Sequence, residues 1–178
     1  MRVLKHTSLG HVFCYIQHSP KYLTMKSSKE IIEVLNDLIK INNDRIEGYD
    51  KAIENAKTID VGLQSIFSKM KSESIKFTAE LHNRVLQLGG EPQDGTTISG
   101  KLYRAWMDVK TTFTGKDRTS LLESCEAGED AAQRAYKDAM ETEGLPAEIR
   151  DFIGQQKKAL RVSHDEIKAM RDWQKATS

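Results

Sequence analysis

Glu129 and Tyr136 stand seven residues apart, two turns of a helix, so a carboxylate and a phenol share one face. Inward carboxylates from several helices form the donor set of di-iron and di-manganese centres. In such centres two helices each supply a Glu, and the other two each supply a Glu-x-x-His. The spacing is geometric: residues three apart share a helix face, so a carboxylate and an imidazole can meet the same metal pair. This chain has no Glu-x-x-His, because Ala79 stands three before His82 and Arg161 three before His164. The position matching Glu129 on the first predicted helix is Asn42. At the same depth on the other two helices the inward pairs are Ser74 with Phe77 and Leu160 with Ser163. Phe77 and Leu160 cannot ligate a metal. Most of the set is missing, so no catalytic residue is assigned and no cofactor is expected.

A lone inward carboxylate must still be compensated, because an unpaired buried charge costs several kcal/mol or takes up a proton. Arg45 lies on the inward stripe one turn past Asn42. The expectation is a buried Glu129–Arg45 pair with Asn42, Tyr49 and Tyr136 as hydrogen-bonding neighbours, a network that fixes helix register more than it adds stability. Two rivals remain open. One is a degenerate iron or manganese site built from Glu129 with Glu73, Glu80 or His164. The other places Glu129 near an open bundle end, in water. His82 lies off the inward stripe and His164 flanks it, which suits surface or boundary histidines. Cys125 falls on the core face, where a thiol behaves as a small apolar group. Cys125 and Cys14 show no metal-type spacing and read as reduced thiols of a cytosolic protein.

The elements that must hold these residues are helices. Ser27 and Glu30 form a capping box that opens a first helix running to about residue 56. Thr58 or Asp60 can cap a second helix that stops at Gly89-Gly90. Asp117 caps a third, which runs to about residue 143 before the stop at Gly144. Pro146 suits the first turn of a fourth that continues to about Trp173. Each is roughly 25–30 residues, so about 40 Å long. Between the second and third lies a polar loop, then Ile98, Leu102, Trp106, Val109 and Phe113 on one face of a short extra helix ended by Gly115. Strand signals are nearly absent.

The inward stripes repeat. Leu35, Leu38, Asn42, Arg45, Tyr49 and Ala52 match Leu122, Cys125, Glu129, Ala132, Tyr136 and Ala139 at a constant offset of 87 residues. Leu63, Phe67, Met70, Ser74, Phe77, Leu81, Arg84 and Leu88 match Ile149, Ile153, Gln156, Leu160, Ser163, Ile167, Met170 and Gln174 at an offset of 86. Alternating steps of three and four are the seam of helices packed near +20°. Tight first–second and third–fourth turns make each pair antiparallel, and the long middle connection can cross the bundle from end to end. The reading is an all-α, ferritin-like antiparallel four-helix bundle with one long crossover carrying a short extra helix.

The bundle occupies residues 25–178. Residues 1–24 are basic, carry three of the five histidines and show no sustained periodicity. They read as a disordered extension or a start chosen upstream of Met25. A signal peptide is disfavoured, since His11 and His18 break the apolar stretch. His6, His11 and His18 fit no usual ligand pattern. A net charge of +1 gives no footprint for nucleic acid, and no apolar run approaches a membrane span. A homodimer is a possible state. Tyr103, Trp106 and Phe113 on the crossover either close this domain's own core or meet a partner.

Read in order, several runs carry a family resemblance. They are Asn36-Asp37-Leu38-Ile39, the stretch from Asp44 to Gly48-Tyr49, and Leu88-Gly89-Gly90-Glu91-Pro92. They continue with Gly100, Trp106-Met107-Asp108-Val109-Lys110, Cys125-Glu126-Ala127-Gly128-Glu129-Asp130 with Tyr136, Leu145-Pro146 and His164-Asp165. Together they resemble an uncharacterised bacterial family of ferritin-like four-helix-bundle proteins, a domain of unknown function, over about residues 29–173. Glu129 seven before Tyr136 is also similar to the third-helix element of the ferritins. The resemblance implies the bundle and a bacterial, cytoplasmic protein. It brings no established activity and no ligand set. A stress-response role follows by analogy only. The expected class is a non-enzymatic structural or interaction protein; the alternative is a metal-binding ferritin-like oxidoreductase or iron-binding protein.

Overall fold

The computed structural model describes residues 26–95 and 117–177. The N-terminal extension and the crossover helix expected around Ile98–Phe113 lie outside the described residues. Four helices account for the rest: α1 (Ser28–Ile59), α2 (Gly62–Gln87), α3 (Arg118–Met140) and α4 (Ala147–Thr177).

Their ends follow from local chemistry. At α1 the Ser27 hydroxyl accepts the Glu30 N–H and the Glu30 carboxylate accepts the Ser27 N–H, so two of the free amide donors of the first turn are satisfied reciprocally. Neither Thr58 nor Asp60 is the N-cap of α2: that position is Val61, which makes no side-chain cap bond, while Thr58 still lies within α1 and turns back to Asn55 O and Asp60 ends α1, its carboxylate accepting the Gly62 N–H at 2.9 Å. Asp60 also receives Arg118 Nε at 2.7 Å, which ties this turn to the start of α3. Asp117 caps α3 through the Ser120 N–H at 3.0 Å. Gly89 and Gly144 take the left-handed conformation, φ +77° and +74°, in the turns after α2 and α3. The first and fourth helices run beyond the lengths read from the sequence, to Ile59 and Thr177. The third stops at Met140, because the turn leading to Gly144 begins there with Thr142 N–H bonded to Ala139 O.

The carboxylates at these helix ends have a pH consequence. The Lys26 ammonium and the Ser27 donors hold Glu30 well down, at about 2. Arg118 lowers Asp60, and the Ser120 donors lower Asp117. Acids depressed in the folded state contribute stability above their unfolded pKa values and lose it as pH falls through the folded ones. The melting temperature is therefore expected to be flat near neutrality and to fall from about pH 4.5 toward pH 2, with the unfolded acids titrating at about 3.9 and 4.3. Combining Glu30→Gln with Asp117→Asn should flatten that descent. Thermal melts across pH check this, and a melting temperature that rises on acidification contradicts it.

The direction of the chain follows from two cross-helix bonds. Asn42 meets Tyr136 and Tyr49 meets Glu129, so numbers rise along α1 as they fall along α3. The short turns make α1 antiparallel to α2 and α3 antiparallel to α4. Hence α2 and α3 point the same way, the relation that a ferritin-like connectivity gives these two helices.

The core forms two apolar clusters. One contains Leu35, Leu38, Phe77, Leu81, Ala135 and Leu160; the other contains Ala52, Phe67, Met70, Leu122, Cys125 and Ile167. A buried polar layer of Asn42, Arg45, Ser74, Glu129, Gln156 and Ser163 belongs to neither cluster. Late in α2 the buried residue is Val85 rather than Arg84, and Leu88 is half-exposed. A helix of 3.6 residues per turn drifts by about 20° per heptad against a strict seam, which brings the neighbouring position inward. Met170 and Gln174, at the far end of α4, are likewise only half-buried. Among the described residues no helix is long and apolar enough to cross a membrane.

Candidate functional site

The polar layer consists of two hydrogen-bonded groups, one around Glu129 and one around Tyr136. Arg45 of α1 donates through Nη2 to Glu129 Oε1 of α3 at 2.6 Å and through Nη1 to the Ser74 hydroxyl of α2 at 2.8 Å. The Arg45 and Glu129 side chains are each 1 % exposed. Tyr49 donates its hydroxyl to the same Glu129 oxygen, and the Arg45 guanidinium lies 5.6 Å from the Tyr49 ring centre. On the other flank the Asn42 amide donates to Leu38 O at 2.8 Å and to the Tyr136 hydroxyl at 2.7 Å. Tyr136 then donates to Gln156 Oε1 at 2.9 Å, and Gln156 Nε2 donates to Glu80 Oε2 at 2.8 Å. All five residues read from the sequence as a core network are buried, with Arg45, Tyr49 and Glu129 in the first group and Asn42 and Tyr136 in the second.

The sequence repeat has a direct structural expression. Asn42 and Glu129 occupy matching positions, as do Tyr49 and Tyr136. Each tyrosine reaches across to the matching position on the opposite helix. The layer is therefore pseudo-two-fold in its tyrosines but asymmetric in charge, with an amide on one side and a carboxylate on the other. Arg45, whose counterpart is Ala132, fills the asymmetry.

Electrostatics follow from burial. Burial opposes the Arg45 charge, but Glu129 foremost, then Tyr49 and Glu73, outweigh it and raise the pKa, so the guanidinium stays charged. Burial, then the Glu129 charge, pushes Tyr49 well up, and burial pushes Tyr136 up. Both phenols stay protonated and can donate. Burial and Glu129 likewise push the Cys125 thiol up, which leaves it an inert packing group rather than a nucleophile.

The rival set of Glu73, Glu80, Glu129 and His164 is not brought to one point. Glu73 accepts from Ser163 at 2.9 Å and Glu80 from Gln156, both at the α2–α4 seam. His164 is buried rather than a boundary residue. It faces α3, with Nε2 3.0 Å from Asp130 and Nδ1 2.8 Å from Asp165. Among the described residues no three His, Cys, Asp or Glu side chains are grouped to hold a metal ion. The donor set does not fit a di-metal carboxylate centre: the polar partners of Glu129 are a guanidinium and a phenol hydroxyl, with no second carboxylate or imidazole bonded beside them. Glu129 itself is buried, not solvated at an open end.

Sequence reasoning left Gln156 and Ser163 without a role. The signal was present: they break the apolar stripe of α4 seven residues apart, opposite Glu80 and Glu73, seven apart on α2. Buried acceptor capacity is also left over. Glu129 Oε2 and Asn42 Oδ1 have no hydrogen-bond partner, and among donors Arg45 Nε has none.

Fold and layer together define a ferritin-like four-helix bundle. The family profile described as domain of unknown function (DUF2383) matches residues 30–142, well over half of the chain, and the chain belongs to that family. Among solved structures, one is described as "ferritin like, diiron-carboxylate proteins" from Bacillus anthracis str. Ames. It aligns with a TM-score of 0.60 over 81 % of this chain and 96 % of that one, at 19 % identity. At that identity the likeness shows the fold. No curated protein matches this chain.

Proposed function

We propose that this protein is a non-enzymatic structural or interaction member of the ferritin-like class, acting in the cytoplasm, with a charge network where bundles of this kind can carry metals. One observation carries the reading: Arg45 Nη2 stands 2.6 Å from Glu129 Oε1, so a fixed organic cation already neutralises the one fully buried carboxylate of the polar layer. A metal at Glu129 would have to expel that guanidinium from a site with no imidazole in contact. The network then acts as a register key. A slip of one residue along α1 or α3 separates Tyr49 from Glu129 and Asn42 from Tyr136 and leaves charges unpaired.

The second reading, a metal-dependent oxidoreductase or iron-binding protein, is supported by the fold likeness to a protein described as a diiron-carboxylate protein. Elemental analysis of protein purified without an affinity tag separates the two. The expected result is iron and manganese far below stoichiometric. A content of about one or two atoms per chain, as a di-metal bundle holds, overturns the non-enzymatic reading.

A further inference from the structure

We infer that the outward face of α4 pairs with the same face of a second copy of this chain, the two helices running antiparallel about a two-fold axis between residues 166 and 167. The inference goes beyond the metal question and does not rest on its answer, because this face lies on the side of α4 opposite the polar layer.

The apolar row of the face comes first. Val162 and Trp173 are 64 % and 63 % exposed, and they stand eleven residues apart, about three turns of a helix. Ala169 and Ala176 are exposed as well. At about 100° per residue all four fall within an arc of about 60°. The fully buried Ile153, Leu160 and Ile167 point the opposite way. Trp173 belongs to neither apolar cluster of the core. Its ring is large, rigid and in water, the kind of side chain that anchors an interface.

Charge names the occupant. Arg161, Asp165, Lys168 and Asp172 are exposed along one flank of the row, so the flank alternates plus, minus, plus, minus. A two-fold axis perpendicular to an antiparallel helix pair sets a flank against itself. With the axis between 166 and 167, Arg161 lies level with the second copy's Asp172, and Asp165 with the second copy's Lys168. Symmetry repeats both contacts. The same axis places Trp173 between Lys158 and Val162 of the second copy, where the ring covers a methylene stem and faces an ammonium. Ala169 falls near the axis, and its small side chain lets the helices approach. Within one chain Arg161 already meets Asp165 at 2.9 Å and Arg171 meets Asp172 at 2.6 Å, but both carboxylates are 54 % exposed. Exposed pairs of this kind contribute little and exchange readily. On the other flank Glu166 is held by Lys69 of α2 at 3.0 Å. One helix per copy makes an interface below about 1,200 Å² in total, the low end of specific contacts, so the dimer is weak and forms with concentration.

Sedimentation equilibrium of the full chain, from about 1 to 500 µM, reads the association. The expected result is a monomer–dimer equilibrium with Kd on the order of 10–100 µM. Trp173→Ala should weaken it about tenfold or more, the effect of losing an aromatic anchor. Arg161→Glu should weaken it several-fold at low ionic strength, and Arg161→Glu/Asp172→Arg should restore it, because each contact is then reversed in both members. Circular dichroism checks that each variant keeps its helices; all the altered side chains but Arg161 and Asp172 lack ion pairs, and those two make exposed ones only. A monomer across the whole range overturns the inference. A dimer whose affinity is unchanged by Trp173→Ala or by Arg161→Glu also overturns it, since another face then holds the copies together. So does a double variant no tighter than Arg161→Glu alone. None of these outcomes alters the metal content that decides the proposed function.

Discussion

Glu129→Ala is expected to lower the unfolding free energy by about 3–5 kcal/mol, the range for removing one member of a buried ion pair. Solvent screening gives little relief, since the two partners are each 1 % exposed. The variant leaves the Arg45 guanidinium buried with Ser74 as its near partner, and Tyr49 loses the acceptor of its hydroxyl. For a chain of this size the loss corresponds to a fall in melting temperature of roughly 6–20 °C. The pair itself is worth much less than this figure suggests. Much of the loss is the cost of the orphaned charge, so replacing both members, Arg45→Met with Glu129→Leu, should recover most of it. Urea unfolding of the wild type, both single variants and the double variant provides the cycle. A loss below about 1 kcal/mol in Glu129→Ala would mean that the carboxylate is neutral or hydrated, as an exposed pair would behave.

The same layer shows what a single sequence can and cannot reveal. Helix starts are readable because their chemistry is local: Ser27 with Glu30, and Asp117 with Ser120, satisfy backbone donors within one turn. The Arg45–Glu129 contact is readable for a different reason. Both residues interrupt apolar stripes, and the repeat places them at comparable depth. His164 is the counterexample. Judged along α4 alone it flanks the stripe, and its burial depends on Asp130 of α3, a neighbour that no spacing within α4 can indicate. Gln156 and Ser163 fall between these cases, since their roles emerge only when the heptad of α4 is laid against the heptad of Glu73 and Glu80 on α2. Long-range pairing, rather than helix propensity, is the missing information.

Fixed geometry in the layer depends on the apolar cluster beneath it, and Phe67→Ala tests that dependence. Phe67 is fully buried, and its ring centre lies 5.9 Å from that of Tyr49, tilted at 35°. Ala52 and Ala56 share its cluster and cannot extend into a void, while Leu63, Met70 and Leu122 are already buried. The expected loss is about 3–5 kcal/mol, combining lost transfer energy with an incompletely collapsed cavity. Phe67→Leu, which keeps more of the volume, should lose about 1.5 kcal/mol or less. The consequence reaches beyond packing. The Tyr49 ring rests on Phe67 and carries its hydroxyl to Glu129, so the cavity frees the ring to leave the carboxylate. Tyr49→Phe should therefore cost less in the Phe67→Ala background than in the wild type. Equal cost in both backgrounds, measured by denaturant unfolding, would show that α1 and α3 hold the tyrosine in place without support from α2.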